Sequence, residues 1–293
     1  MKILFIGSVE FSKKIFDEII KSKNEIVGVI GKKKNNFNSD YFDITRYSKS
    51  VGIPSIQCKN INSKNTIDWI KRKNPEIIIC IGWSKLLKKK ILSLCKFGVI
   101  GYHPSDLPNN RGRHPIIWTL ALGLKKIGST FFIMDSKADS GDIISKKLIN
   151  VSKDDNARKL YNRLIITAKS QIRQILKKLA NNTLRRMSQK KKPSNFWRKR
   201  NELDGQIDWR MSADSIYNLI RALSDPYPGA FFNYSNKKIF VWKSKIVNVD
   251  LSNLEPGKIL YIKKGKPIIK CGDRALKLEN YTPNIKFKNN NYL

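Results

Sequence analysis

Both histidines of this chain lie in one stretch, "GYHPSDLPNNRGRHPIIW" (101–118), together with three prolines and two arginines. An unperturbed imidazole titrates at about 6.5, so a histidine set in a cleft transfers protons near neutral pH. His103 closes the apolar run "GVIGYH" (98–103), and Pro104 and Pro108 stiffen the loop that leaves it. Arg111 and Arg113, either side of Gly112, present guanidinium groups suited to a phosphate or carboxylate, or else to acids nearby. A second stretch, "DSKADSGD" (135–142), places Asp135, Asp139 and Asp142 in a turn shaped by Gly141. A carboxylate from that turn, brought against His103, would orient the ring and stabilise its cationic form. This is acid–base logic without a Ser or Cys nucleophile, which leaves that role to the substrate. His114, just before Pro115, reads as a helix-entry residue, and Asp142 as a structural cap.

The elements that must position these residues alternate. "KILFIG" (2–7), "EIVGVIG" (25–31), "EIIICIG" (76–82) and "GVIGYH" (98–103) are short apolar runs rich in β-branched residues. Between them, "EFSKKIFDEIIKSK", "TRYSKSVG", "NTIDWIKRKN" and "SKLLKKKILSL" read as helices. Strand, helix, strand is the signature of a parallel sheet, and it puts His103 at the carboxyl end of a strand, where such sheets bind ligands. "HPIIWTLALGL" (114–124) reads as a helix with Pro115 in its first turn. "GSTFFIMD" (128–135) and "ADSGDIISKKLINV" add two strands, and "ARKLYNRLIITAKSQIRQILKKLAN" a long amphipathic helix. The expected class is α/β: a Rossmann-like parallel-sheet domain over 1–185, a basic linker over 186–204, and a small β-rich, OB-like barrel domain over 205–293. "GSVEFS" lacks the later glycines of a dinucleotide fingerprint, which excludes a nicotinamide dehydrogenase.

Composition narrows the setting. No apolar run approaches 18 residues, so a spanning helix is not expected. Four cysteines without CxxC spacing, and no export signal, point to free thiols in the cytoplasm and to no metal. The formal net charge of +35 suits a nucleic-acid partner through counterion release. Lysines nevertheless run through the whole chain, with local runs only at 32–34, 88–90 and "QKKKPSNFWRKR" (189–200), as a compositional bias would leave them. Trp197, an aromatic among those lysines, suits either a base or sugar contact or packing on the C-terminal domain.

"YHPSDLPNNRGRHPIIW", "GSTFFIMDSKADSGDII", "DGQIDW" and "IRALSDPYPGA" together resemble the folate-dependent formyltransferases, from near Met1 to at least residue 231. That resemblance implies 10-formyltetrahydrofolate as donor and an amine as acceptor, whose attack on the formyl carbon produces a tetrahedral oxyanion. The family's histidine maps onto His103, to stabilise the oxyanion or relay a proton. Its aspartate maps onto Asp139, to hold His103 and accept the amine's proton through water. The resemblance also places the pterin against 83–87 (Trp83, Leu86 and Leu87 among them) and against the 133–139 loop with Asp135, Ser136 and Asp139. Tyr102, Pro104, Ser105, Arg111 and Arg113 are then the residues left to meet the acceptor. One position departs: the family's asparagine two residues before the histidine is Gly101 here. Losing one oxyanion donor costs about 10²–10³ in rate, so Asn110, on the same loop, is expected to reach back in its stead; an inactive member is the alternative.

Three acceptors or roles compete. "RGRHPIIW", "STFFIMDSKADSGDI" and "KKKNNFNSDYFDI" (32–44) look closer to members that formylate an amino sugar carried on a nucleotide, for glycan synthesis. Methionyl-tRNA formyltransferase accounts for the charge and the C-terminal domain. A non-enzymatic basic protein that binds nucleic acid accounts for the charge alone. A homodimer is compatible with each.

Overall fold

The computed structural model describes residues 1–34, 39–189, 194–249 and 253–293 and divides the chain into two compact units. The first comprises 1–115, 127–149 and 162–198, the second 116–126, 150–161 and 199–293.

In the first unit, β1 (Lys2–Ile6), β2 (Glu25–Gly31), β3 (Ser55–Gln57), β4 (Ile77–Cys80) and β5 (Val99–His103) alternate with α1 (Glu10–Ile20), α2 (Ile44–Ser50), α3 (Lys64–Lys73) and α4 (Lys89–Leu92). The chain continues through the two-residue strand β6 (Arg111–Gly112), the helix α5 (Pro115–Ala121), β7 (Lys126–Ile133), β8 (Ile143–Asn150) and α6 (Ala157–Ala180), of which 116–121 of α5 and 157–161 of α6 belong to the second unit. The seven-stranded sheet has the order β3-β2-β1-β4-β5-β7-β8. The pairs from β3 to β5 are parallel and β7 runs antiparallel to β5. Strand order reverses between β1 and β4, so a crevice opens at the carboxyl ends of those two strands. Ile3, Leu4, Phe5 and Ile6 of β1 and Ile77, Ile78 and Ile79 of β4 are fully buried, as continuous apolar runs covered on both faces must be.

Short helices here depend on caps and buried stripes. Asp43 accepts from the backbone N–H groups of Thr45 and Arg46 to start α2, and Ser63 accepts from Thr66 to start α3. Asn74, with φ 44°, closes α3 in the left-handed conformation. The helix expected over "SKLLKKKILSL" shrinks to the four residues of α4, because 84–88 runs as irregular chain tied to Asn62 through Leu86 O and Lys88 N. Two elements carry no pattern legible in the sequence, β3 and the pair of β6 with β9 (Phe196–Trp197).

The stretch 186–204 does not behave uniformly. Met187 pairs with Ile143, and β9 lies parallel to β6 in the first unit. Leu203–Gly205 forms a 3-10 turn in the second. Residues 190–193 of the basic run and 35–38 of the "KKKNNFNSDYFDI" segment lie outside the described residues.

The second unit holds α7 (Ala213–Leu223) and five antiparallel strands, β10 (Ala230–Tyr234), β11 (Lys237–Val247), β12 (Ile259–Lys263), β13 (Lys266–Lys270) and β14 (Ala275–Thr282). Their order, β10-β11-β14-β13-β12, is that of an open sheet among the described residues rather than a closed barrel. Among the described residues, no helix is long and apolar enough to cross a membrane. All four cysteines are free, and burial pushes the Cys95 and Cys271 thiols up to about 12.

A buried carboxylate joins α1 to α6. Glu18, 6% exposed, receives Arg173 Nη1 at 2.6 Å and Lys169 Nζ at 3.2 Å. Burial alone would raise its pKa, but the hydrogen bonds from Arg173 and Lys169 hold it below the ordinary glutamate value. A depressed carboxyl contributes stability above its unfolded pKa and loses it as pH falls through the folded one. Glu18→Gln is therefore expected to cost about 2 kcal/mol at neutral pH. In thermal melts across pH, the gap between wild type and variant should close as pH drops below about 4.

Candidate active site

Strand β5 carries the site, and its alternation decides which residues face it. Gly101 and His103 point to one side of the sheet, with their cross-strand partners Phe132 and Thr130. Tyr102 points to the other side, where its ring lies 4.8 Å from that of Phe11 and 4.9 Å from that of Phe131. The Tyr102 hydroxyl bonds Ser129 at 3.0 Å, and burial pushes its pKa well up. The structure thus does not bring Tyr102 to His103. Ser105, 1% exposed, likewise works within the loop: its hydroxyl donates to Asn109 O and its carbonyl accepts from Thr130. Pro104, half-buried, connects the two.

His103 is 6% exposed and has polar groups on both ring nitrogens. Nε2 lies 3.1 Å from the Asn110 carbonyl oxygen, which only accepts, so Nε2–H donates there. Nδ1 lies 3.8 Å from Asp139 Oδ1. The other carboxylate oxygen, Oδ2, accepts from the Gly112 backbone N–H at 3.1 Å. One carboxylate therefore reaches both the imidazole and the arginine-rich loop.

Backbone strain marks the same residues. Asp139 (φ 56°), Asn110 (φ 60°) and His114 (φ 55°) are all left-handed, at a cost on the order of 1–3 kcal/mol each. Two glycines make the crossing feasible. A Cβ on Gly141 would lie 1.7 Å from the Ile133 carbonyl oxygen, and one on Gly112 would lie 2.3 Å from the Trp197 carbonyl oxygen.

Gln189 and residues 194–197 brace this arrangement, and nothing in the sequence pointed to that role. Asn195 Oδ1 accepts from Asn110 N at 2.8 Å, and Asn195 Nδ2 donates to Asn110 Oδ1 at 3.0 Å. Arg111 donates to Ser194 Oγ and to Gln189 Oε1, while its buried Nε has no hydrogen-bond partner among the described residues. The Asn110 side-chain oxygen is thus turned to Asn195, and it is the Asn110 carbonyl that meets His103. Trp197 is half-buried while its neighbour Phe196 is 62% exposed. The residues involved are 78–85 positions apart, a separation that leaves no local signal.

Segment 83–87 follows β4 into the crevice. Trp83 has a buried Nε1 without a hydrogen-bond partner among the described residues, Leu86 is 58% exposed and Leu87 is 3% exposed in the core. Lys32, half-buried after β2, stands with Nζ 5.7 Å from the Trp83 ring centroid and 3.3 Å from Ser84 Oγ. Burial first, then the like charges of Lys85 and Arg113, push the Lys32 ammonium below its ordinary value. On the other loop, Asp135 and Ser136 are exposed, and Asp135 Oδ1 accepts from Lys137 N and Ser140 Oγ.

Gly101 is filled from across the sheet. A Cβ placed there would meet Phe132 Cζ at 2.9 Å and Met134 Cγ at 2.9 Å. Phe132 is 1% exposed and packs with Leu107 and Ile143, so its ring has little room to retreat.

Residues 1–205 match the family model described as formyl transferase, and 200–288 match that for the formyl transferase C-terminal domain. The chain belongs to the formyl transferase family. It is 30% identical over 283 residues to a methionyl-tRNA formyltransferase of Caldanaerobacter subterraneus subsp. tengcongensis, covering 95% of this chain and 91% of that protein. It is 33% identical over 280 residues to the bifunctional polymyxin resistance protein ArnA of Wigglesworthia glossinidia brevipalpis, covering 95% of this chain and 42% of that protein. Among solved structures, the N-formyltransferase from Helicobacter canadensis, in complex with folinic acid and dTDP-3-aminofucose, superposes with a TM-score of 0.69. That match has 17% identity and covers 95% of this chain and 98% of that one, a likeness of fold.

Restoring an asparagine at 101 should therefore overpack this formyl transferase. Gly101→Asn is expected to destabilise by about 1–3 kcal/mol, and to cost less when introduced into Phe132→Ala, so that the double variant loses less than the sum of the two single changes. Denaturant melts of the single and double variants check it.

Proposed function

We propose that this formyl transferase moves the formyl group of 10-formyltetrahydrofolate onto the amine of a nucleotide-linked amino sugar. The observation that carries the transfer chemistry is the facing of His103 Nδ1 and Asp139 Oδ1 at the carboxyl edge of β5. An amine attacking a formyl carbon must lose a proton, and Asp139, directly or through water, is the base in reach of that position. As the new C–N bond forms, the bond from the formyl carbon to the folate nitrogen breaks and that nitrogen takes a proton. A formyl oxygen drawn to His103 Nε2–H would replace the Asn110 carbonyl as its acceptor.

The residues at the crevice suit a pterin. The unpartnered Trp83 N–H offers a donor, Leu86 an exposed apolar surface, and Asp135 an exposed carboxylate for ring N–H groups, with Ser136 and the Leu87 backbone beside them. Lys32, Lys85 and Arg113 supply the positive charge that a diphosphate requires, the latter two lying close enough to add to the effect of burial on Lys32.

A small acceptor is favoured by where the charge falls. Lysines and arginines occur on α1, α3, α6, β8, β11 and β13 alike, and the arginine nearest His103 is occupied by Gln189 and Ser194. An RNA-binding face calls instead for cations gathered in one stripe. Methionyl-tRNA is the second reading, favoured by the 30% identity across 91% of a methionyl-tRNA formyltransferase.

Mass spectrometry of reactions with 10-formyltetrahydrofolate decides between them, with nucleotide-linked amino sugars in one set and charged initiator methionyl-tRNA in the other. The sugar should gain a formyl group, and His103→Ala or Asp139→Ala should lower the rate by about 10²–10⁴-fold. Formylation of the tRNA alone would replace the sugar reading with the second one.

A further inference from the structure

Gln189 sits where the two loops of the site come closest. Its side chain is 3% exposed and makes three hydrogen bonds. Oε1 accepts from Arg111 Nη2 at 2.9 Å, on the loop that follows His103. Nε2 donates to the Asp139 carbonyl at 3.2 Å and the Gly141 carbonyl at 2.6 Å, on the turn that carries the carboxylate. The orientation of the amide is determined by its partners: a guanidinium only donates and carbonyls only accept, so a flipped amide would lose all three bonds.

What this amide holds is a turn that would not keep its shape unaided. Asp139 is a non-glycine residue in left-handed backbone, and Gly141 presses against the Ile133 carbonyl. Asp139 Oδ1 stands at 3.8 Å from His103 Nδ1, near the limit of an ion-pair contact, so a small retreat of the turn separates them. Gly112 N–H helps from the carboxylate end, but it belongs to the same loop as Arg111, which Gln189 also grips.

We propose that Gln189 is a positioning residue for formyl transfer, clamping the backbone of the Asp139 turn to the Arg111 guanidinium so that the carboxylate faces His103. The proposal rests on the assignment of His103 and Asp139 to the chemistry and is independent of which amine is the acceptor. Gln189 touches neither reacting group. Its removal acts through the placement of Asp139.

Two variants separate this role from a plain structural one. Gln189→Ala removes all three bonds. Gln189→Glu keeps an oxygen for Arg111 but has no N–H for the two carbonyls, and so cuts only the tie to the Asp139 turn. With two histidines in the chain, labelled imidazoles of the full-length protein give a simple spectrum, and His114→Gln assigns the peaks. In both Gln189 variants the His103 ring cross-peak should move toward its position in Asp139→Asn. The rate constant for formyl transfer should fall by about 10²-fold, the consequence of misplacing a catalytic group by roughly an ångström, with donor KM changed less than about threefold.

A folded Gln189→Ala with the His103 peak at its wild-type position overturns the proposal, as does full activity in Gln189→Glu. Failure of both variants to fold also overturns it, in favour of a structural staple. If the wild type formylates neither acceptor, the acceptor reading fails alone, and the His103 peak still decides the role of Gln189.

Discussion

Everything at the edge of β5 depends on a single carboxylate crossing to a single imidazole. His103 ends β5 and Asp139 lies in the loop after β7, and the chain between them runs through β6, α5 and β7. An antiparallel strand carries the chain away from the His103 end, since Ile133 pairs with Ile100 while Thr130 pairs with His103. The 134–141 segment must therefore fold back across the sheet face to return a carboxylate. The left-handed Asp139 and the crowded Gly141 are the local consequences of that return. Backbone so arranged persists only when its surroundings over-determine it. Here the surroundings are Gly112 N–H, Gln189 and the arginine that Gln189 binds.

This constraint explains the fate of a segment that composition marks as a linker. Lysine, asparagine and serine at 189–200 suggest solvated chain. In the fold, Gln189, Ser194, Asn195 and Trp197 instead form the outer brace of the catalytic loop, through side-chain bonds and the β6–β9 pairing. Polar side chains brace well because each can satisfy backbone groups that a loop leaves unpaired. A solvated strap and a structural strap therefore share one composition, and tertiary proximity alone tells them apart.

Gly101 illustrates a different coupling. Read along the chain, it is a glycine where the resemblance leads one to expect an asparagine. Seen across the sheet, it is one half of a packing solution whose other half is the Phe132 ring with Met134. A close-packed interior leaves no room for both an amide and a phenyl ring on neighbouring strands.

Sequence alone determined the layered α/β architecture and the β-rich second unit, because hydrophobic periodicity is a local property and each strand or helix carries its own. It also singled out His103 and Asp139 as residue types, an isolated imidazole and a carboxylate before a glycine turn, and the fold sets the two side chains 3.8 Å apart. Tyr102, expected from the resemblance to meet the acceptor, instead falls on the side of β5 away from His103, against Phe11 and Phe131. Tertiary structure decided the rest: that Asn110 meets His103 through its carbonyl, that Arg111 is held by Gln189, and that the C-terminal strands stay open. The physical reason is range. Hydrogen bonds and ring contacts act over a few ångströms between groups some eighty residues apart, and no pattern along the chain encodes that distance.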